Sequence, residues 1–141
     1  MARWLVQLRR GGLEMIQPRV RELDNFLLYV GNLLPHKNAD ALLHTILALK
    51  KIGYSGMKAV FAGPSGRHED RLLERSHELG LSSEVVVLGR VHDRDLAYLY
   101  DNAMALVHPS RIEGFGLPIA EAMIAECPIV ASDIPAFESL V

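Results

Sequence analysis

The sequence predicts an α/β protein with a doubly wound, Rossmann-like parallel sheet. Three observations support this prediction: five short apolar segments recur along the chain, segments with helical spacing separate them, and glycine follows four of the apolar segments. Short continuous apolar runs are typical of strands that are buried on both faces. Strands that alternate with helices of about ten to fifteen residues indicate right-handed βαβ crossovers and therefore a parallel sheet.

The five apolar runs are the predicted strands. In chain order they are FLLYVG (26–31), MKAVFAG (57–63), EVVVLG (84–89), MALVHPS (104–110) and PIVAS (128–132). The first helix lies in NADALLHTILALKKIG (38–53). Asn38 suits its N-cap, Asp40 suits the positive end of the helix dipole, and Gly53 suits its C-cap.

The second helix lies in RHEDRLLERSHELG (67–80), which ends at a glycine. Its spacing directs Leu72, Leu73 and Leu79 toward the core. The two later helices follow from similar signals.

Asp93 is placed to cap a third helix with an apolar stripe within residues 96–100. Pro118 suits the first turn of a fourth helix that runs to about Ala125.

Size and composition indicate one soluble globular domain. The chain has 141 residues, of which 50% are hydrophobic, and a net charge of −2, which does not favour a nucleic-acid partner. Cys127 is the single cysteine, so no disulfide can form within the chain and a reducing compartment is expected. No apolar run is long enough to span a membrane and no secretion signal is recognisable. The expected location is the cytoplasm, either free or peripheral at a membrane.

A ligand cleft is predicted at the carboxyl ends of the strands. Ligands of open parallel sheets bind at this edge, and glycine there lets the backbone approach a ligand closely. Glycine-containing segments follow four strands, at 31–32, 63–66, 89–90 and 114–116. Neither the GxGxxG fingerprint after the first strand nor the GxxxxGK[ST] pattern is present, which argues against nicotinamide dinucleotides and P-loop chemistry.

Charged residues near these turns can be interpreted in two ways. Lys37 and Arg90 are either ordinary surface residues or cations that meet a phosphate near a helix N-terminus. Glu113 is either a solvated loop acid or part of a site. Glu121 is expected in the first helical turn, where it either stabilises the helix dipole or accepts hydrogen bonds from two adjacent hydroxyls, as on a ribose.

Several sequence blocks resemble a known family. They are VGNLLPHK (30–37), LGRV (88–91), LAYLYDNA (96–103), EGFGLP (113–118) with EAM (121–123), and PIVASDIPA (128–136). From Phe26 to Val141 the chain resembles the C-terminal, donor-binding half of GT-B glycosyltransferases of the retaining class called family 4, or glycosyl transferases group 1. The family's E-x7-E pattern matches Glu113 and Glu121.

The resemblance implies roles in phosphate and sugar binding. Lys37 would bind the donor's diphosphate, and Glu113 would lie beside the transferred sugar as the catalytic residue. Backbone amides of Phe115, Gly116 and Leu117 would hold sugar hydroxyls and phosphate. Catalysis would consist mostly of positioning and of neutralising the departing diphosphate.

The resemblance also implies roles in nucleoside binding. Glu121 would hold the ribose hydroxyls, and Arg90 and Val91 would lie near the base. Asn32 stands where the family commonly has an arginine that binds the diphosphate. Glu126 stands where the family usually has glycine, so a left-handed backbone there would cost roughly 1 kcal/mol.

The implied reaction is transfer of a hexose-type sugar from a UDP-, GDP- or ADP-sugar to an acceptor, with retention and with neither cofactor nor metal. The expected organisation is a leader of unclear structure (1–25) and a nucleotide-sugar-binding domain (26–141) that is incomplete at its C-terminus. The acceptor site would belong to a separate domain or chain. Two alternatives remain open: a nucleotide or nucleotide-sugar binding module that is inactive alone, and a Rossmann-like interaction domain whose motifs are vestigial.

Overall fold

The computed structural model describes residues 12–64 and 66–140. In these ranges five strands form one parallel sheet: β1 (Phe26–Val30), β2 (Lys58–Ala62), β3 (Val85–Gly89), β4 (Ala105–His108) and β5 (Ile129–Ala131). The strand order is β3-β2-β1-β4-β5, and every paired strand is parallel. The predicted Rossmann-like sheet is therefore confirmed.

Helices connect the strands and cover both faces of the sheet. They are α1 (Pro18–Arg21), α2 (Asp40–Lys51), α3 (His68–Glu78), α4 (Asp93–Asn102), α5 (Leu117–Ile124) and α6 (Pro135–Glu138). Short 3₁₀ turns lie at Leu13–Met15 and Pro35–Lys37. No helix within the described ranges has the length and apolar character needed to cross a bilayer.

The core has two halves, one on each face of the sheet. Alternate residues of a strand point to opposite faces, so Phe26 and Leu28 lie in one half while Leu27 and Tyr29 lie in the other. Helices α1, α4, α5 and α6 contribute buried residues to the first half, and α2 and α3 contribute them to the second. This division explains why β1 is apolar at every position.

Most predicted helix ends agree with the structure. Gly53 and Gly80 adopt positive φ just after α2 and α3, as expected for helix C-termini. Pro118 lies in the first turn of α5, as predicted. Asp40 lies in the first turn of α2, where its charge is favourable.

Three local predictions were wrong. Asn38 does not cap α2: it has φ 55°, Ala39 is the N-cap, and the Asn38 amide donates instead to Pro109 O at 3.2 Å. Leu73 is 41% exposed, since the apolar face of α3 is narrower than its sequence indicates. Asp93 is the first helical residue of α4 rather than its cap.

The described part of the predicted leader packs against the domain. Val20 of α1 is fully buried, and Tyr98 OH donates to Arg21 O at 3.3 Å. The backbone N–H of Gln17 donates to Asp95 Oδ1 at 2.9 Å. Residues 12–25 therefore contribute to the same core as α4, while residues 1–11 of the predicted leader lie outside the described residues.

Candidate functional site

The candidate site lies where the strand order reverses. From β1 the chain continues to β2 and β3 on one side of the sheet, whereas β4 and β5 lie on the other side. The loops that follow β1 and β4 therefore diverge at the carboxyl edge and leave a crevice between them, which is where open α/β sheets bind ligands.

An ion pair joins these two loops. Lys37, at the end of the 3₁₀ turn, places Nζ 2.5 Å from Oε1 of Glu113. The two side chains are only 19% and 9% exposed. A backbone hydrogen bond of 2.9 Å from Arg111 N to His36 O holds the same loops together. The structure thus brings together two residues that the sequence separates by 76 positions.

Glu113 Oε1 accepts two further hydrogen bonds from the end of β4. Ser110 Oγ lies 2.8 Å away and His108 Nε2 lies 3.2 Å away. An ionised carboxylate can only accept, so His108 must carry its proton on Nε2 to donate this bond. Nδ1 of His108 is then an acceptor, and among the described residues it has no hydrogen-bond partner.

These contacts fix the charge of the site. Burial alone would raise the pKa of Glu113, but the hydrogen bonds from Lys37 and Ser110, together with the Lys37 charge, outweigh it and lower that pKa. Burial lowers the pKa of His108, although the Glu113 charge opposes this. At neutral pH Glu113 is therefore an anion that can accept hydrogen bonds or oppose a positive charge, and it is unsuited to donate a proton.

The segment after Glu113 presents bare backbone ahead of α5. The N–H groups of Phe115, Gly116 and Leu117 donate no hydrogen bond to any described residue, whereas the carbonyl of Gly116 accepts from the first turn of α5. Free N–H groups at a helix N-terminus form a binding site for an anion. The side chains of Phe115 and Leu117 are about half exposed.

Gly116 is required here by both conformation and space. It has φ 76°, and an added Cβ would lie 2.6 Å from Cε1 of Phe137. Phe137 of α6 is buried and also packs edge-on against the His108 ring, with 5.4 Å between the ring centroids. One aromatic side chain thus supports both the turn and a partner of Glu113.

Glu121 differs from its sequence interpretation. It lies in the second turn of α5 rather than the first, so the predicted dipole interaction was wrong. Its side chain is buried, and Tyr100 OH donates to Oε2 at 2.8 Å. Burial raises the pKa of Glu121, although the Tyr100 hydrogen bond opposes this. Oε1 has no hydrogen bond to a described residue, so it is available to a ligand hydroxyl.

The other predicted residues lie along the same edge of the sheet. Asn32 Oδ1 accepts from Leu34 N at 3.2 Å, and its carbonyl accepts from Tyr29 OH at 2.5 Å. Arg90 is exposed and Val91 is partly buried after β3, the outer strand. No hydrogen bond between described residues joins Arg90 or Val91 to the Lys37–Glu113 pair.

The sequence interpretation missed His108, Ser110 and Tyr100. A histidine and a serine precede Glu113 by five and three positions at the end of a predicted strand, and this spacing is the signal that could have identified them. Tyr100 had no comparable signal, because its contact with Glu121 joins two helices. Within residues 12–64 and 66–140, no group of three or more His, Cys, Asp or Glu side chains is arranged to hold a metal ion.

The family model and similar curated proteins indicate the same family. The family model of glycosyl transferases group 1 matches residues 14–141. The O-antigen chain mannosyltransferase RfbU of Salmonella typhimurium is 34% identical over 120 residues, which cover 85% of this chain and 33% of that protein. The O-antigen chain mannosyltransferase B of Escherichia coli is 34% identical over 132 residues, covering 92% and 34%.

Solved structures share the fold at lower identity. HepE of Anabaena, solved in complex with UDP and glucose, superposes with a TM-score of 0.74 at 23% identity, covering 96% of this chain and 38% of that one. WaaG, a glycosyltransferase involved in lipopolysaccharide biosynthesis, gives 0.73 at 20% identity, covering 99% and 35%. The chain spans about a third of the length of the curated relatives it matches. Because the family model matches residues 14–141, the chain belongs to the glycosyl transferases group 1 family.

Proposed function

We propose that the chain is the donor-binding part of a glycosyltransferase, which moves a hexose-type sugar from a nucleotide-diphosphate sugar to an acceptor with retention. The observation that best supports this proposal is the Lys37–Glu113 pair at the β1–β4 crevice. Family membership supports sugar transfer by the whole protein, and retention rests on the sequence resemblance described above.

The donor's diphosphate would bind beside Lys37. The lysine supplies a positive charge, and the free amides of Phe115, Gly116 and Leu117 supply donors at the start of α5. Both features favour a departing diphosphate more than a neutral group. Stabilising that charge as it develops would contribute most of the rate enhancement.

Glu113 would act on the transferred sugar as an anion. Oε1 is occupied by three donors, so the carboxylate is held in one orientation, and a sugar hydroxyl can donate to Oε2. Its negative charge would also oppose positive charge that develops at the anomeric carbon. Because its pKa is lowered, this role needs no proton transfer from Glu113.

The nucleoside would extend toward β3. Oε1 of Glu121 is free to accept from a ribose hydroxyl, and Arg90 and Val91 would contact the base. Asn32 would contribute a polar contact near the diphosphate. Both curated relatives described above are named mannosyltransferases, which favours mannose as the sugar, while the HepE complex with UDP and glucose makes glucose the rival.

Calorimetry with UDP-, GDP- and ADP-linked mannose and glucose tests the proposal. One donor is expected to bind, with or without a chelator, because no metal is needed. Lys37→Ala and Glu121→Ala should each weaken binding about 10- to 100-fold, the value of a charged hydrogen bond. Lys51→Ala, an exposed residue at the end of α2, is the matched control and should leave affinity unchanged.

Two results would contradict the proposal: no donor binds at millimolar concentration, or both site variants bind as well as the control.

The alternative function is a nucleotide-sugar binding module without turnover of its own. In this alternative the acceptor is held by a separate domain or chain. Donor binding without sugar release by the 141-residue chain would support that alternative.

The proposal for the donor-binding part of a glycosyltransferase also includes a cytoplasmic location, either free or peripheral at a membrane.

A further inference from the structure

A cavity of about 210 Å³ is lined by chain neighbours of Lys37 and Glu113 but by neither residue of that pair, and the proposed donor site does not explain it. Its walls come from four places: the loop after β1, the first residue of α2, the first two turns of α3, and Arg111 in the loop after β4. Its volume is below the roughly 300 Å³ at which pockets enclose a drug-sized ligand, so it fits one group of a ligand.

The cavity lies on the opposite side of the sheet from the donor turn. Its buried apolar residues, Leu33, Ala39 and Leu72, belong to the core half covered by α2 and α3. The turn before α5 packs instead on Phe137, which belongs to the other half. A ligand in the cavity would therefore be distinct from the one held by the α5 amides.

The polar lining of the cavity is mainly cationic. Arg71 of α3 and Arg111 after β4 both line it, and neither forms an ion pair or hydrogen bond through its side chain with a described residue. His68 and the Asn38 amide also line it, and Asp40 is the single acid in the lining. With His68 neutral, the lining has a net positive charge, which favours an oxyanion over a neutral sugar.

Backbone contacts position the segments that carry these two arginines. Arg111 N donates to His36 O at 2.9 Å, and the Asn38 amide donates to Pro109 O at 3.2 Å, so two walls of the cavity are connected directly. Arg71 lies in the first turn of α3, a helix of 11 residues. Both side chains are exposed, so the rigid segments fix where each arginine starts, and the planar guanidinium fork then supplies paired donors to an oxyanion.

We propose that this cavity binds the phosphoryl group of a second ligand, through Arg71 and Arg111, at the same time as the nucleotide donor occupies the α5 turn. The residues involved share both loops with the Lys37–Glu113 pair, because Lys37 lies between cavity residues Pro35 and Asn38 and Arg111 precedes Glu113 by two positions. A phosphorylated ligand there would contact the same two loops that carry Lys37 and Glu113.

Nuclear magnetic resonance titration of the 141-residue chain with inorganic phosphate, and separately with glycerol 3-phosphate, tests this site. The expected shifts are at the amides of Arg71, Arg111 and His68. Arg71→Gln and Arg111→Gln should each weaken binding about 10- to 100-fold. Arg67→Gln is the matched control, since it removes the same charge one residue before α3 but does not line the cavity.

A second arm repeats the titration with saturating UDP, GDP or ADP. If a nucleotide binds, retained phosphate binding at the arginines supports a separate site. If no nucleotide binds, the donor proposal fails, while weakened phosphate binding in Arg71→Gln and Arg111→Gln but not in Arg67→Gln still supports the phosphoryl site. Three outcomes would overturn the inference. They are an absence of shifts at the arginines, an equal loss in Arg67→Gln, and displacement of phosphate by nucleotide together with its loss in Lys37→Ala. Circular dichroism of each variant checks that the fold is retained.

Discussion

At the scale of single residues, the surroundings of Glu121 determine what its carboxylate can do. The side chain is 6% exposed, and its hydrogen-bond partner among the described residues is the neutral hydroxyl of Tyr100. Burial therefore raises its pKa, because the charged form loses water and gains no cation. The folded protein thus holds this carboxylate in a state that a ligand hydroxyl would stabilise.

We predict that Glu121→Gln stabilises the protein at neutral pH. Because the pKa of Glu121 is higher in the folded state than in the unfolded state, ionising this side chain destabilises the fold. This cost is absent below the unfolded-state pKa and complete above the folded-state pKa. The gain from glutamine should therefore shrink as pH falls toward 4. Thermal unfolding across this pH range measures the effect.

Glu22→Gln, at an exposed position after α1, is the control for Glu121→Gln and should shift the unfolding temperature little at any pH. A stability gain in Glu121→Gln that does not depend on pH would contradict the explanation by burial of charge. The same variant should still weaken donor binding, since an amide oxygen is a weaker acceptor than a carboxylate.

Glu126 provides a prediction about backbone strain. Its φ is 57°, which lies in the left-handed region, as expected from the glycine that the family usually has at this position. Glu126→Gly should be more stable than Glu126→Ala by about 1 kcal/mol, because only glycine adopts this conformation without a steric cost. Chemical denaturation of the two variants makes the comparison, and equal stability would show that the residue relaxes without strain.

At the scale of elements, the loops after β1 and β4 are joined by Lys37 and Glu113. The pKa of Glu113 is lower in the folded state, so the ionised carboxylate stabilises the fold above pH 4.5, which is its ordinary pKa. This stabilisation is lost as the pH falls through the lower pKa of the folded state. Ser110 and His108 remain as partners when the lysine is removed. The pair therefore connects loops that the sheet alone leaves free.

We predict that Lys37→Met destabilises the protein by about 1–3 kcal/mol, because it leaves a nearly buried carboxylate without its cation. Adding Glu113→Gln should recover part of this loss, with a coupling energy of about 1 kcal/mol. Urea unfolding of the four proteins of this cycle measures the coupling. Strictly additive losses would indicate that the ion pair does not stabilise the fold.

At the scale of the whole molecule, the segment before β1 belongs to the folded unit. Val20 has no exposed surface and contacts the same core half as α4 and α5. Val20→Ala should lower the free energy of unfolding by about 2 kcal/mol, the lower range for removing buried methyl groups. Calorimetric unfolding should show one transition, with Arg19→Ala, an exposed neighbour, as a near-neutral control.

A small effect of Val20→Ala, or an early separate transition, would mean that residues 12–25 are only loosely attached. The sequence offered no periodicity in this short stretch, since a four-residue helix has too few positions to reveal an apolar face. Its burial depends on α4, which begins more than 70 residues later, so no local pattern could predict it.

The strands and main helices were predictable because their signals are local. A run such as FLLYV is apolar at every position, and the glycines after α2 and α3 mark where those helices end. Glu113 and Lys37 were recognised as candidates for the same reason, since each lies in a glycine-rich or loop segment after a strand. Their contact was not predictable, because nothing near either residue in the chain specifies the other.

By itself the sequence determined the parallel α/β fold, its family resemblance and the edge of the sheet where a ligand is expected, because periodicity, glycine positions and motif blocks are properties of short segments. Only the tertiary structure decided which charges are paired and which are buried. Oε1 of Glu113 receives three donors, and Glu121 is enclosed beside Tyr100, through contacts between separate elements. Protonation and ligand access depend on local solvation and partners, and both arise only when the chain packs.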